Sequence, residues 1–220
     1  MIMIPWPETD TLLLDMDGTL LDLHFDNHFW REHVPLRFAE KHDLDVEQAK
    51  DTLFSKFQAM EGTMEWYCVD YWSEVLDLDI AELKREVDHL IDVHPHVTEF
   101  LDRARARGKR IVMVTNAHQK ALDLKMEKTR LAGHFDRLIC SHDYGKPKED
   151  VRFWDWLEEQ EPFDKERTLL IDDSLPVLRS ARQYGIRFLL AVRNPDTRAP
   201  EKDTEDFEAV DSFDDLLKTL

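Results

Sequence analysis

Short, uniformly apolar runs alternate with stretches of helical period along most of this chain. Four of the runs end in a polar residue: Thr11–Asp15 (TLLLD), Arg110–Thr115 (RIVMVT), Asp136–Ser141 (DRLICS) and Arg167–Asp172 (RTLLID). A fifth, Ile186–Val192, follows Gly185 and stops before Asn194-Pro195. A strand that is apolar at every position needs cover on both faces, as parallel strands in a layered sheet do. Between the runs lie patterns of crossover-helix length. Val97–Arg107 runs to Gly108, a residue suited to ending a helix, and Ala117–Thr129 follows Asn116 as an N-cap. Glu149–Glu159 and Leu175–Tyr184 complete the set. Strand and helix repeated in this order predict a doubly wound α/β sheet.

One interval breaks the rhythm. About ninety residues separate Asp15 from Arg110, far more than a crossover helix needs. They carry helical patterns at Asn27–His42, Val46–Met60, Met64–Leu76 and Ile80–Ile91, and three of the six tryptophans: Trp30, Trp66 and Trp72. The pattern predicts a helical cap over residues 23–92, inserted directly after the first strand of an α/β core built from 1–22 and 93–220. After Pro200 an acidic tail closes with a short helix expected at Ser212–Lys218.

Composition then narrows the function. With 220 residues, 42% of them hydrophobic, the chain can bury a proper core, so disorder is excluded. Its 29 Lys and Arg stand against 47 Asp and Glu, a net charge of −18 that repels nucleic acid and anionic membrane surfaces. The six glycines have none of the spacings of a dinucleotide fingerprint, a Walker phosphate loop or a GxSxG elbow. Cys68 and Cys140 make no CxxC pair and read as small buried hydrophobes in a reducing compartment. Neither a signal peptide nor a run long enough for a membrane span is present, so the expectation is a cytoplasmic protein with no membrane or nucleic-acid partner.

In open α/β sheets ligands bind at the carboxyl ends of the strands, where the polar residues closing these runs converge. Asp15 and Asp17 lie two apart in Asp15-Met16-Asp17-Gly18-Thr19, so extended geometry turns both carboxylates the same way. Two carboxylates so close point to a divalent cation, and hard oxygen ligands favour magnesium. The same residues also suit a plain turn with solvated acids. Asp172-Asp173 at another strand tip could complete a metal site or cap a helix. Thr115-Asn116 offers a hydroxyl, an amide and free N–H groups for a phosphate, or ordinary capping. Lys146 and Lys148 are both candidates to neutralise that phosphate. His94-Pro95-His96 reads as a helix entry rather than a metal clip.

Taken together, these segments resemble the haloacid-dehalogenase superfamily of hydrolases, and within it the bacterial GMP/IMP nucleotidase group. LLLDMDGT at 12–19 matches the first superfamily motif, IVMVTN at 111–116 the second and LLIDD at 169–173 the fourth. The third is a loop lysine followed by an apolar pair. Phe153-Trp154 stands five and six residues after Lys148, whereas Val151-Arg152 stands there after Lys146, so the resemblance selects Lys148. FDNHFW at 25–30, WYCVDYW at 66–72, TNAH at 115–118, PKEDVRFW at 147–154 and IDDS at 171–174 carry the narrower likeness. In one departure, Val177 stands where many relatives place an acid four residues after the final metal-binding Asp.

The resemblance implies a superfamily sheet of order 3-2-1-4-5 and a two-step phosphoryl transfer on a small phosphate monoester. Asp15 would be the nucleophile and Asp17 the general acid, then base. Mg2+ would be held by Asp15, Asp17 through its backbone carbonyl, and Asp173, with Asp172 beside it. Thr115, Asn116 and Lys148 would stabilise the phosphoryl oxygens. In the cap, Asn27 and His24 are candidates to reach the sugar or phosphate, and Trp66, Tyr67 and Tyr71 to stack a purine, although Trp66, Val69 and Trp72 also have the spacing of a helix core. Competing readings are a phosphatase of sugar phosphates or phosphoglycolate, a phosphomutase, a carbon–halogen hydrolase (against which Asp17 speaks) and a non-catalytic binding module. Oligomeric state is not legible.

Overall fold

The computed structural model of the chain describes residues 4–220. The first apolar run forms β1 (Thr11–Leu14), buried at all four positions. A helical insertion follows, with α1 (His24–His28), α2 (Val34–His42), α3 (Val46–Met60), α4 (Met64–Tyr67), α5 (Val69–Leu76) and α6 (Ile80–Glu86). Helices and strands then alternate through α7 (Val97–Ala106), β2 (Arg110–Thr115), α8 (Gln119–Thr129), β3 (Arg137–Cys140), α9 (Arg152–Gln160), β4 (Thr168–Asp172), α10 (Leu175–Tyr184) and β5 (Phe188–Val192). The short strand β6 (Ala209–Val210) and α11 (Phe213–Leu217) close the chain.

The sheet is wholly parallel, in the order β3-β2-β1-β4-β5-β6. This is the expected 3-2-1-4-5 arrangement with one strand added at the edge, where Val192 pairs with Val210. Two residues are too short to carry a readable period, so β6 left no signal in the sequence.

Side chains of β1 alternate between two apolar layers, as a strand must. Leu12 and Leu14 join Ile111, Met113, Leu169 and Ile171 against Phe100 and Phe213, and this layer continues into the insertion through Phe25, Phe29 and Trp72. Leu13 joins Val112, Val114 and Leu170 against Phe153, Trp154, Leu157 and Leu178 on the opposite face. Leu12, Leu13 and Leu14 have no accessible surface, a burial worth about 2 kcal/mol for each side chain. The central position of β1 has a functional consequence. Leu14 lies level with Met113 of β2 and Ile171 of β4, so the residues just beyond all three strands emerge side by side.

Several boundaries differ from the sequence expectation, each for a local reason. The helix expected over Met64–Leu76 breaks at Cys68, whose backbone is extended and whose Sγ accepts the Tyr71 N–H at 3.4 Å as the cap of α5. Trp72 Nε1 donates to Trp66 O across that break at 2.9 Å. The pattern over Ile80–Ile91 stops at Glu86 and gives way to one tight turn at Asp88–Leu90. α8 begins at Gln119 rather than Ala117, because its cap is His118, whose Nδ1 accepts the Lys120 N–H, and not Asn116. α9 begins at Arg152, three residues later than expected, after Asp150 takes the Arg152 N–H. Between α1 and α2 the helix widens to a π turn over Phe29–His33. His96 stands at the entrance of α7 with φ +68°, the helix entry expected of that segment.

Candidate active site

The turn after β1 shapes the site before any side chain does. Gly18 adopts φ +83°, a left-handed conformation that favours glycine. A Cβ at this position would stand 2.8 Å from Asp173 Cγ, so only glycine lets the Asp173 carboxylate come this close. Gly18 N–H donates to Leu21 O at 2.8 Å, folding the chain away from the sheet and into the insertion. Asp15 leaves β1 beside β4, its N–H donating to Ile171 O at 3.0 Å.

Asp15, Asp172 and Lys148 form a buried triad at the strand tips. Lys148 Nζ donates to Asp15 Oδ1 at 2.6 Å, to Asp172 Oδ2 at 2.7 Å and to Val114 O at 3.0 Å, which uses all three of its protons. An ammonium with 1% exposure is tolerable only with such compensation. Lys146 is only half-buried, so the structure brings Lys148 to Asp15 and leaves Lys146 aside. Asn116 holds the lysine loop: its Oδ1 accepts the Lys148 N–H at 2.9 Å, and its Nδ2 donates to Glu149 at 2.9 Å. Both ends of the Asn116 amide are therefore committed to positioning. Thr115 Oγ1 accepts the Ala117 N–H at 3.0 Å, leaving its hydroxyl proton to donate.

Asp17 belongs to a second ionic cluster that the sequence did not disclose. Lys125 Nζ, from α8, donates to Asp17 Oδ1 at 2.7 Å and to Asp26 Oδ2 at 2.6 Å. Lys84, from α6, donates to the other oxygen of Asp26 at 3.0 Å. Lys125 and Lys84 are both fully buried, and Lys84 also lies over the ring of Phe29, 4.3 Å from its centroid. Neither lysine belongs to a motif. Each sits in a helical stretch where a charge reads as a solvated face, so only the fold reveals it.

Burial dominates the electrostatics. Desolvation pushes the carboxyls of Asp15, Asp17, Asp172 and Asp173 up to about 6, against the opposing pull of Lys148, Lys125 and Lys202. Asp26 goes the other way: burial would raise it, but Lys125 and Lys84 outweigh that and hold it at about 2.

A cation fits one part of this arrangement. Carboxylate oxygens of Asp15, Asp172 and Asp173 lie within 4.8 Å of one another. Asp172 has both oxygens engaged, one by Lys148 and one by the Ser174 N–H at 2.9 Å. Asp173 receives only a 3.4 Å contact from Lys202, and Asp15 has one oxygen beyond the Lys148 bond. Asp15 and Asp173 thus carry the oxygens available to a hard cation, while Asp172 steadies Lys148. The Asp17 side chain turns toward Lys125, away from this group. Val177, in place of the acid many relatives have, is buried at the edge of the cavity.

All of these groups open into a cavity of about 830 Å³ between sheet and insertion, in the size range of small-ligand sites. Lys84, Lys125, Lys148 and Lys202 line it, facing the carboxylates of Asp15, Asp17, Asp26, Asp172 and Asp173. From the insertion, Asn27, Trp66 and Tyr67 reach the cavity as expected, joined by Trp30, Arg31 and Phe57. Two expected contacts do not reach it. Tyr71 packs on Trp72 with ring centroids 5.1 Å apart, and His24 lies beside His28 and 3.7 Å from Asp196. Trp66 also packs edge-on to Phe57, so its helical spacing and its place in the cavity wall are both real. The Tyr67 hydroxyl donates to Glu149 at 2.6 Å, tying insertion to lysine loop.

Comparison with known proteins follows the same lines. A family model described as haloacid dehalogenase-like hydrolase matches residues 9–185. The chain is a haloacid dehalogenase-like hydrolase. This hydrolase is 40% identical over 219 residues, 100% of its own length and 99% of the relative's, to the GMP/IMP nucleotidase YrfG of Escherichia coli (strain K12). The GMP/IMP nucleotidase YrfG of Shigella flexneri matches to the same extent. Among solved structures, a HAD phosphatase from Thermococcus onnurineus superposes with a TM-score of 0.79 at 21% identity, covering 96% of this chain and 97% of that one. CbbY from Rhodobacter sphaeroides, solved in complex with phosphate, gives a TM-score of 0.65 at 20% identity, covering 94% and 96%. Both establish the fold. Among the described residues no helix is long and apolar enough to cross a membrane.

Proposed function

We propose that this hydrolase is a magnesium-dependent phosphomonoesterase that removes the 5′-phosphate from purine nucleoside monophosphates, GMP and IMP in particular. The observation that carries the chemistry is the buried pairing of Lys148 with Asp15 in a cavity that Asp17 also lines. The choice of substrate rests on the full-length similarity to the GMP/IMP nucleotidase.

In this reading an oxygen of Asp15 attacks phosphorus and forms an aspartyl-phosphate as the bond to the ribose oxygen breaks. Asp17, its carboxyl raised by burial toward the neutral range, passes a proton to that leaving oxygen. It then takes a proton from the water that hydrolyses the intermediate. Lys148 offsets charge on Asp15 and on the phosphoryl oxygens, and the Thr115 hydroxyl donates to one of them. Asp15, Asp173 and the backbone carbonyl of Asp17 would hold magnesium, which when bound orients the phosphate and offsets its charge. Residues 23–92 act as the substrate-selecting cap, with Trp66 as the aromatic face for the base and Asn27 at the sugar end of the cavity.

Phosphate release from GMP, IMP, AMP, UMP, sugar phosphates and phosphoglycolate, with magnesium and with excess chelator, tests both levels. Metal-dependent release favouring GMP and IMP is expected. Preference for a sugar phosphate would remove the purine assignment, and absence of release from every ester would remove the enzyme reading.

A further inference from the structure

A second set of metal-ligating side chains lies outside the phosphate chemistry. Cys68 sits between α4 and α5 of the insertion, His118 caps α8 beyond β2, and His142 lies in the turn beyond β3. They are far apart in sequence, yet one ligand atom from each lies within 4.8 Å of the others. The two imidazole rings stand edge to face, centroids 5.0 Å apart. His142 Nε2 is buried and has no hydrogen-bond partner among the described residues, an orphan that a buried polar atom does not normally remain. The Cys68 sulfur receives only the long contact from the Tyr71 N–H at 3.4 Å. Asp70 Oδ2 lies 3.7 Å from His118 Nε2, on the side where a carboxylate orients a ligating histidine, which leaves Nδ1, now accepting the Lys120 N–H at 3.3 Å, as the ligating nitrogen.

The donor set decides the class of ion. One sulfur and two imidazoles make a borderline-soft site, suited to zinc and its transition-metal neighbours and not to magnesium. Donor atoms around a tetrahedral zinc stand roughly 3.3–3.8 Å apart, given bonds of about 2.0–2.3 Å, so small side-chain rotations close the gap. Burial lowers the pKa of both histidines, which keeps their rings neutral and able to ligate at neutral pH.

We propose that Cys68, His118 and His142 form a binding site for a zinc-class divalent cation that ties the helical insertion to the sheet. On binding, the Cys68 thiol loses its proton to solvent as the sulfur–metal bond forms, His142 contributes its unpartnered Nε2 lone pair, and His118 contributes Nδ1, releasing the Lys120 N–H it now accepts. A water takes the fourth position. The site is separate from the Asp15–Asp173 oxygens, so one chain sorts two ions by hardness. Because Cys68 comes from the insertion and both histidines from the core, the bound ion resists any separation of the two.

The test uses the full-length protein with saturating magnesium, which occupies the hard-oxygen end of the cavity. Cobalt(II) is added as a spectroscopic probe and zinc as its competitor. One equivalent of cobalt should give a thiolate-to-metal charge-transfer band that zinc abolishes. Cys68→Ser, which keeps a capping oxygen for the Tyr71 N–H, should lose the band, and His142→Ala should weaken binding at least tenfold. Cys140 is buried, with its Sγ directed at Ala117 O, and is not expected to contribute. No band in the parent protein, or a band that survives Cys68→Ser, would overturn the site. Amide exchange over residues 64–72 should slow when zinc binds, and unchanged exchange would overturn the tether. Neither readout depends on phosphatase activity.

Discussion

Asp15 and Asp17 stand two residues apart and each is held by a buried lysine, yet the two lysines build different kinds of structure. Lys148 takes Asp15, Asp172 and Val114 as partners, all from strand tips of the sheet. Lys125 takes Asp17 and, through Asp26, reaches Lys84 in the insertion. The surroundings of Asp15, the proposed nucleophile, are therefore complete within the core, whereas Asp17, the proposed proton-transfer carboxylate, is wired to the helices above the cavity. Electrostatically the clusters differ in balance. Lys148 faces two carboxylates, and Asp173 adds a third close by, leaving excess negative charge for a cation. The Asp17–Asp26–Lys125–Lys84 cluster is neutral, two against two. Similar residues thus build one place with negative charge to spare and another in which the charges balance.

The most severe test of this contrast is Asp15→Asn, which keeps shape and removes the nucleophile. Turnover should fall by about 10⁴-fold or more while circular dichroism stays unchanged. A near-normal rate would end the nucleophile assignment. Next in size are the lysines. Lys148→Met should cost roughly 10³-fold in kcat and about 3–5 kcal/mol in stability, because two buried carboxylates lose their counter-charge. Lys125→Met should cost roughly 10- to 100-fold, mostly with poor leaving groups, since of the proposed reacting groups it touches only the proton donor, its other partner being Asp26. An aryl phosphate with a good leaving group should be nearly indifferent to it. Lys146→Ala should change the rate less than about twofold, as surface substitutions do. A reversed order among the three would dissolve the distinction between the clusters.

A smaller effect concerns pH. Asp15, Asp17, Asp172 and Asp173 titrate near 6 in the fold, above their ordinary value of 3.8. Between these values the folded state binds more protons than the unfolded one, so stability falls as pH rises through the window. Chelator-treated protein should melt about 5 °C higher at pH 5 than at pH 7, and magnesium should flatten that slope. Asp26, lowered to about 2, stabilises above 3.8 and loses this only as pH falls toward 2, outside the measured range. A Tm that rises from pH 5 to 7 in chelator would contradict the burial argument. The mildest expectation lies in the cavity wall. Trp66→Ala should raise KM for GMP about three- to tenfold with little change in kcat, as loss of base stacking would. Tyr71→Phe, outside the cavity, should leave both within about twofold.

Strand tips are where sequence reading succeeds here, and the reason is local. A uniformly apolar β1 followed at once by Asp15, Asp17 and Gly18 places those carboxylates at a sheet edge by connectivity alone. The same logic locates Thr115, Asn116, Asp172 and Asp173. Failures came where a residue acts against its local pattern. Cys68 caps a helix, which serine, threonine, aspartate and asparagine do more often, so Met64–Leu76 read as one helix. Asn116 reads as a cap and a phosphate donor, but the Lys148 N–H and Glu149 take its amide. Tyr71 shares the aromatic segment of Trp66 and Tyr67, and a difference of a few residues on a broken helix turns it away from the cavity.

By itself the sequence determined the doubly wound sheet, the helical insertion and the carboxylates after β1 and β4, because periodicity and connectivity act over a few residues. Tertiary structure alone decided which partners those carboxylates meet. Lys125, Lys84 and Asp26 come together from three helices, and Cys68, His118 and His142 from three separate turns. In a linear chain each of these reads as a solvated charge, a small buried thiol or an isolated ring. Their meaning arises when burial removes water, because a buried charge or an orphaned nitrogen is costly until another group, or an ion, satisfies it.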